Sequence, residues 1–245
     1  MSQFIALNAA QHHNLCVAPD KTGHAGADEH LIPVVLNEFA QLVIQYPIVI
    51  SRHEPSGQLI CSAMLGFEER ENLFWEEGRW NSLYIPAQIE RHPFYIGQQD
   101  EQQRQMIYID TQSPALTHIN DNQGTRLFTD SGQPTALMQQ KQQLLAMLLE
   151  GEVATAQFLS ELDRLSLITP IALDVTFCDN SSSKISGLFT IDEDRLAALP
   201  GEDITRLHQL NMLSPAYTLL ASHAHIYSLI ERKNARIQKG EAWFG

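Results

Sequence analysis

Residues 134–165, PTALMQQKQQLLAMLLEGEVATAQFLSELDRL, are the stretch whose reading decides the fold. Helix-forming residues dominate it, and Leu137, Leu144, Leu148, Phe158, Leu162 and Leu165 recur at roughly helical intervals. The pattern predicts one helix of up to about 48 Å at 1.5 Å per residue, or two helices broken near Gly151. What flanks it differs in kind. Upstream and downstream segments are short, rich in β-branched and aromatic residues, and punctuated by Gly, Pro, Asn and Ser.

Upstream, LIPVVLNEFAQLVIQYPIVISR (31–52) begins as a short helix, and Ile48, Val49 and Ile50 after Pro47 favour a buried strand. EPSGQ (54–58) is a turn and LICSAMLGF (59–67) the returning strand, which makes 47–67 a β-hairpin. NLFW (72–75) and RWNSLYI (79–85) are two strand candidates on either side of EEG, with Trp75 and Trp80 placed to pair across the turn. Pro86 opens a short helix. GQQDEQQRQ (97–105) is a polar loop before the strand MIYID, and DNQGTRLFTDSGQP (121–134) carries two turn signals.

Downstream, IALDVTF after Pro170 and ISGLFTI after SSSK form a second hairpin. DEDRLAAL, EDITRLHQLNML and a last helix capped by Ser214, with Pro215 at its first position, close the chain. Strands and helices in separate blocks argue for an α+β fold: an antiparallel β-sheet with one long helix and a C-terminal helical block. The expected organisation is a single domain over 1–245, with an irregular lead-in at 1–30, mainly β structure at 31–130, helix at 134–165, a β-hairpin at 170–191 and helices at 192–233.

With 245 residues, 44% of them hydrophobic, the chain can bury roughly three quarters of the surface its unfolded form exposes. A formal charge of -13, from 29 acids against 16 Lys and Arg, argues against general affinity for nucleic acid or an anionic membrane, since both are polyanions. Cys16, Cys61 and Cys178 show no CxxC spacing and read as buried reduced thiols. The start, MSQFIALNAAQHHNLC, has no basic residue before Lys21 and no sustained apolar core, so it does not read as a signal peptide. No stretch approaches the roughly 18 uncharged apolar residues of a membrane span. A cytoplasmic location is the expectation, with the cell surface, reached without an N-terminal signal, as the alternative.

The chain lacks GxGxxG after a strand, GxxxxGK[ST], GxSxG and HExxH, so no nucleotide-cradling loop, nucleophile elbow or metalloprotease helix is written in it. No cofactor is implied. His12, His13, His24 and His30, beside Cys16, Asp28 and Glu29, match no zinc spacing and read as solvated loop histidines; no metal is expected. His223 and His225 lie about 200° apart around a helix and cannot share a metal. His223 falls on an apolar stripe with Ala216, Leu219, Leu220, Tyr227 and Ile230 and reads as a hydrogen-bonded core residue.

One segment remains, GFEERENLFWEEGRWNSLYIPAQIERHPF (66–94), with six aromatics and several charges in 29 residues. Its candidate ligand-binding residues are Trp75, Arg79, Trp80, Tyr84, Arg91 and His92, a mixture suited to a cleft. The other reading is a hairpin whose aromatics cover the sheet and whose charges are solvated.

The ordered set LGFEERENLF, GRW and YIPAQIERHPF resembles the signature of the bacterial SapC family. HLIPVVLNEFAQLVIQYPIVI resembles the family's N-terminal pattern through Pro33, Glu38, Phe39, Tyr46 and Pro47; LFTDSGQPT, ALDVTF, SGLFTIDEDRLAALP and LHQLNMLSPAYTLLASHAHIYSLIERK resemble its later blocks. The likeness spans about residues 5–233, with departures near Asn211, His223 and His225. The family name implies association with a bacterial surface layer. Members encoded near TonB-dependent receptors, flavin-dependent halogenase-like proteins and cupin-like proteins imply instead an accessory role in acquiring or modifying a small molecule. The resemblance carries over no catalytic residue. The expectation is a non-enzymatic accessory protein binding an unidentified protein partner or small molecule; the alternative is an enzyme, or the substrate-handling partner of one.

Overall fold

A computed structural model of the chain describes residues 3–53, 56–98, 105–121 and 123–240. Glu54 and Pro55 of the expected EPSGQ turn, and residues 99–104 of the expected polar loop, lie outside the described residues. The chain opens with β1 (Phe4–Ala6), α1 (Ala9–His12), β2 (Leu15–Val17), a 3₁₀ segment over Pro19–Gly26 and β3 (Leu31–Pro33). Next come α2 (Phe39–Leu42), β4 (Ile48–Arg52), β5 (Leu59–Met64), β6 (Trp75–Glu76), β7 (Arg79–Trp80), α3 (Ala87–Glu90), β8 (Phe94–Gln98), β9 (Gln105–Asp110), β10 (Leu116–His118) and β11 (Thr125–Arg126). The long helix α4 (Ala136–Arg164), the hairpin β12 (Ile168–Thr176) and β13 (Ser182–Ile191), and α5 (Glu193–Ala197), α6 (Gly201–Gln209), α7 (Leu213–Ser222) and α8 (His225–Gln238) complete it.

The protein is α+β, as the blocks of sequence imply, with its strands divided among several antiparallel sheets instead of one. The largest runs β12-β13-β4-β5-β3; smaller ones run β1-β9-β8 and β10-β2-β11, and β6 pairs β7. The expectation of an irregular lead-in at 1–30 is corrected. β1 pairs β9, with Phe4 opposite Asp110, and β2 lies between β10 and β11, with Val17 opposite both Leu116 and Thr125. Strands of three residues are too short for alternation to register, and their partners are about a hundred residues away in the chain.

α4 is one helix of 29 residues, about 44 Å long, and does not break at Gly151. Thr135 caps it by accepting from the Met138 amide. Its buried stripe includes Met138, Lys141, Leu145, Leu148, Gly151, Thr155, Phe158 and Leu162, in steps of three and four. Leu148, Phe158 and Leu162 are buried as the periodicity expects, whereas Leu137, Leu144 and Leu165 are only half-buried. Gly151 is retained because Val35 occupies the space a side chain would need: a Cβ there would stand 2.6 Å from Val35 carbons. α4 thus bridges two cores. Met138 and Leu145 join one built around Val17, Phe94, Ile109 and Leu127, while Phe158, Leu159 and Leu162 join a larger one with Tyr46, Ile48, Ile50 and the C-terminal helices.

The expected last helix is two helices, α7 and α8, separated at His223–Ala224. That break resets the helical phase, so Tyr227, expected on the apolar stripe, is 77% exposed, while Ala216 and Leu219 are buried. α7 begins at Leu213, one residue before the expected cap Ser214; Pro215 stays in the first turn, where its missing N–H leaves no bond unmade. NLFW contributes only Trp75 to β6 and RWNSLYI only Arg79 and Trp80 to β7; Asn72 Oδ1 takes the Phe74 amide and curls the chain before β6. Cys16 and Cys61 are buried and Cys178 is exposed, so one of the three thiols departs from the expectation.

Candidate functional site

The 66–94 segment is bound to α8 along its first half. Glu71, fully buried, accepts the Phe67 amide at 2.8 Å and the Lys233 ammonium, which also reaches Glu68 at 3.1 Å. Asn72 donates to Gly26 O at 2.6 Å. Arg236 donates to the carbonyls of Asn72 and Trp75, and Arg232 lies 4.3 Å above the Phe74 ring. The acids and aromatics of GFEERENLFW therefore serve the packing of α8 on this segment.

β6 and β7 form a hairpin with Trp75 opposite Trp80, as the sequence suggests. Glu77 (φ 49°) and Gly78 (φ 79°) fill its two-residue turn, both in the left-handed region, which glycine adopts without strain. Trp80 Nε1 donates to Gly23 O at 2.9 Å, and its indole covers Gly23 and Gly26, where an added Cβ would overlap it. Trp75 meets the His24 ring edge-on at 4.9 Å, and Arg79 is exposed. Tyr84 donates to Glu38 Oε2 at 2.9 Å; the Ala87 amide gives that oxygen a second bond, and the Val35 amide reaches Oε1 at 3.0 Å. Glu38 is 1% exposed, and burial raises its pKa from its ordinary value against the pull of these three donors. Burial, followed by the Glu38 charge, pushes the Tyr84 phenol well up. Trp75, Trp80 and Tyr84 are thus framework, and the structure does not gather them with Arg79, Arg91 and His92.

Arg91 and His92 follow α3. Arg91 Nε donates to Gln88 Oε1 at 2.7 Å and Nη1 to Phe94 O at 3.0 Å, and the guanidinium lies 4.2 Å over the Tyr95 ring. Burial lowers its pKa. His92 Nδ1 is 3.1 Å from the Tyr95 hydroxyl; burial, then the Arg91 charge, pulls the imidazole down to about 4. Arg91 also lines a depression of about 200 Å³ with Gln88, Tyr95, Leu145, Leu148 and Glu152. A larger one of about 420 Å³ lies beside it, with Val34, Val35, Leu59, Cys61, Ala156 and Leu159 as its apolar lining and His53, Gln58, Gln88, Glu152 and Thr155 as its polar groups. Gln88 and Glu152 line both, so the two form one groove along α4, at a size typical of small-molecule sites, roughly 300–1,000 Å³.

Of the six residues singled out by sequence, only Arg91 lines this groove; His92 stands behind it through Tyr95. Gln88, Glu152 and Thr155 were missed because the groove is assembled from α3, α4 and the β3–β5 edge. The one signal in the sequence is the pair of small or polar positions, Gly151 and Thr155, on a buried face of α4 that is otherwise apolar but for Lys141. Thr155 Oγ1 donates to Gly151 O and accepts the Leu36 amide, which fixes the groove's inner wall. The C-terminal histidines each bind a backbone carbonyl, His223 Nε2 at 3.2 Å from Ile48 O and His225 Nε2 at 2.7 Å from Val43 O, so in each ring Nε2 carries the proton. Among the described residues, no three His, Cys, Asp or Glu side chains are grouped as a metal would require, and no helix is long and apolar enough to cross a membrane.

A family model described as SapC matches residues 7–229 of the chain. Comparison with curated proteins finds no match, and comparison with solved structures finds none either.

Proposed function

The chain belongs to the SapC family, and from that premise we propose that it is a non-enzymatic accessory protein that holds a small molecule in the α4 groove. The observation that carries this reading is Arg91. Two of its nitrogens are fixed by Gln88 and Phe94, it has no carboxylate within ion-pairing distance among the described residues, and it lines a concave, mostly polar depression that adjoins the larger, largely apolar one. Such a protein acts in the cytoplasm and serves a surface-layer or TonB-receptor-associated system. Support for the compartment comes from three free thiols, one of them exposed, which suit a reducing environment.

The test is a titration with a panel of small carboxylic acids, amines and amino acids, followed by amide shifts. Perturbations at Val35, Cys61, Gln88 and Glu152, abolished in Ala156→Trp, are expected; Ala156 is exposed, so the indole fills the groove without entering the core. Ligand binding unchanged by Ala156→Trp, or shifts confined to other surfaces, overturns the reading. Cell fractionation tests location, and a surface-only pool would overturn the cytoplasmic assignment.

The enzyme reading draws on one observation, the neutral His92 imidazole next to the Tyr95 hydroxyl at the groove's edge. It requires His92→Asn to abolish turnover of a bound ligand while leaving its affinity unchanged.

A further inference from the structure

The two charged ends of the Arg91 depression are opposite in sign and do not pair. Arg91 and Glu152 both line it, and the Glu152 charge is felt at Arg91, yet no ion pair joins them within 4 Å, and neither has another charged partner at that distance among the described residues. A cation and an anion that share a depression without meeting leave room for a molecule carrying both complementary charges. Beyond Glu152, on the far side from Arg91, the groove opens into the lobe lined by Val35, Leu59, Cys61, Ala156 and Leu159. The order along the groove is therefore cation, anion, apolar space.

We propose that the groove binds a free α-amino acid with a large apolar side chain, its carboxylate on Arg91, its ammonium on Glu152 and its side chain in the 420 Å³ lobe. The inference rests on the groove being a small-molecule site and adds the class of ligand. The carboxylate is received by Arg91 Nη2, which has no acceptor among the described residues, while Nε and Nη1 hold the guanidinium in place through Gln88 and Phe94. Charge-assisted bonds of this kind are about twice as strong as neutral ones. A simple organic acid meets repulsion from Glu152, and a simple amine meets it from Arg91. A residue within a peptide lacks one or both charges. The other titratable groups of the larger lobe are His53, which is exposed, and Cys61, a fully buried thiol that burial pushes up to about 12.

Calorimetric titration of the full chain with L-phenylalanine, L-alanine, 3-phenylpropanoate and 2-phenylethylamine tests the assignment. L-phenylalanine is expected to bind at least about tenfold more tightly than each of the other three, since each lacks one of the recognised groups. Glu152→Gln should weaken L-phenylalanine and strengthen 3-phenylpropanoate; Arg91→Gln should weaken L-phenylalanine and strengthen 2-phenylethylamine. Equal affinity for 3-phenylpropanoate and L-phenylalanine in the unaltered protein, both lost in Ala156→Trp, overturns the amino-acid assignment and leaves the groove reading standing. L-phenylalanine binding that survives Ala156→Trp overturns both. Absence of L-phenylalanine binding at millimolar concentration overturns the amino-acid assignment outright.

Discussion

Lys233 donates its ammonium to the buried carboxylate of Glu71, joining residues 162 apart in the chain where α8 crosses the 66–75 loop. The Glu71 side chain has no exposure and that of Lys233 has 9%, so neither charge can be left alone without a large desolvation penalty. Removing one partner of such a pair costs about 3–5 kcal/mol, whereas replacing both is far milder. Lys233→Met is therefore expected to lose about that amount in urea unfolding, and Glu71→Gln combined with Lys233→Met to lose less than Lys233→Met alone. A Lys233→Met loss below about 1 kcal/mol would show that the pair does not hold α8 down.

Gly151 sets helix propensity against packing. Alanine in a helix interior gains about 1 kcal/mol over glycine, but here its Cβ would stand 2.6 Å from the Val35 side chain, and overpacking costs about 1–3 kcal/mol. The clash wins, so Gly151→Ala lowers the melting temperature. Adding Val35→Ala does not restore it fully, because that change removes the two γ-methyls but leaves the Val35 Cβ 2.6 Å from the new methyl. A Gly151→Ala protein more stable than the parent would refute the contact.

Tyr84 supplies one of three donors to the buried Glu38 carboxylate. Tyr84→Phe keeps the ring and removes the hydroxyl, for an expected loss of about 1.5–3 kcal/mol, the range for hydrogen bonds to charged groups. The control is Tyr95→Phe, whose hydroxyl meets the uncharged His92 ring at 3.1 Å and whose removal should cost less. Equal losses for the two would mean that Glu38 is not the reason.

His92 makes stability depend on pH in a definite direction. Its folded pKa of about 4 lies below the ordinary 6.5, so as pH falls the unfolded chain takes up the proton first. Its contribution is complete above pH 6.5 and declines from there toward pH 4; His223, also lowered by burial, acts in the same sense. Glu38, raised by burial, acts oppositely: its contribution is fullest below the ordinary 4.5 and is lost as pH rises through its folded value. The stability difference between the parent and His92→Asn should therefore shrink as pH falls from 6.5 to 4. A difference independent of pH over that window would place the proton elsewhere.

The sequence by itself determined the α+β class, the long helix over 134–165, both hairpins and the Trp75–Trp80 turn, because each rests on contacts between residues near in the chain, whose periodicity and turn chemistry are local. The same locality explains the failures. Three-residue strands such as β1 and β2 exist only because β9, β10 and β11 complete them, and Gly151 holds its helix only because Val35 fills its place. FWEEGRW and its surroundings looked like a site because charges and rings crowd one segment. Tertiary structure decided that most of them answer to distant partners, Trp80 to Gly23, Tyr84 to Glu38 and Glu71 to Lys233. It left Arg91 at a groove whose other wall, Glu152 and Thr155, lies some sixty residues on. A groove between elements has no period, so only packing α4 against α3 and the sheet edge could create it.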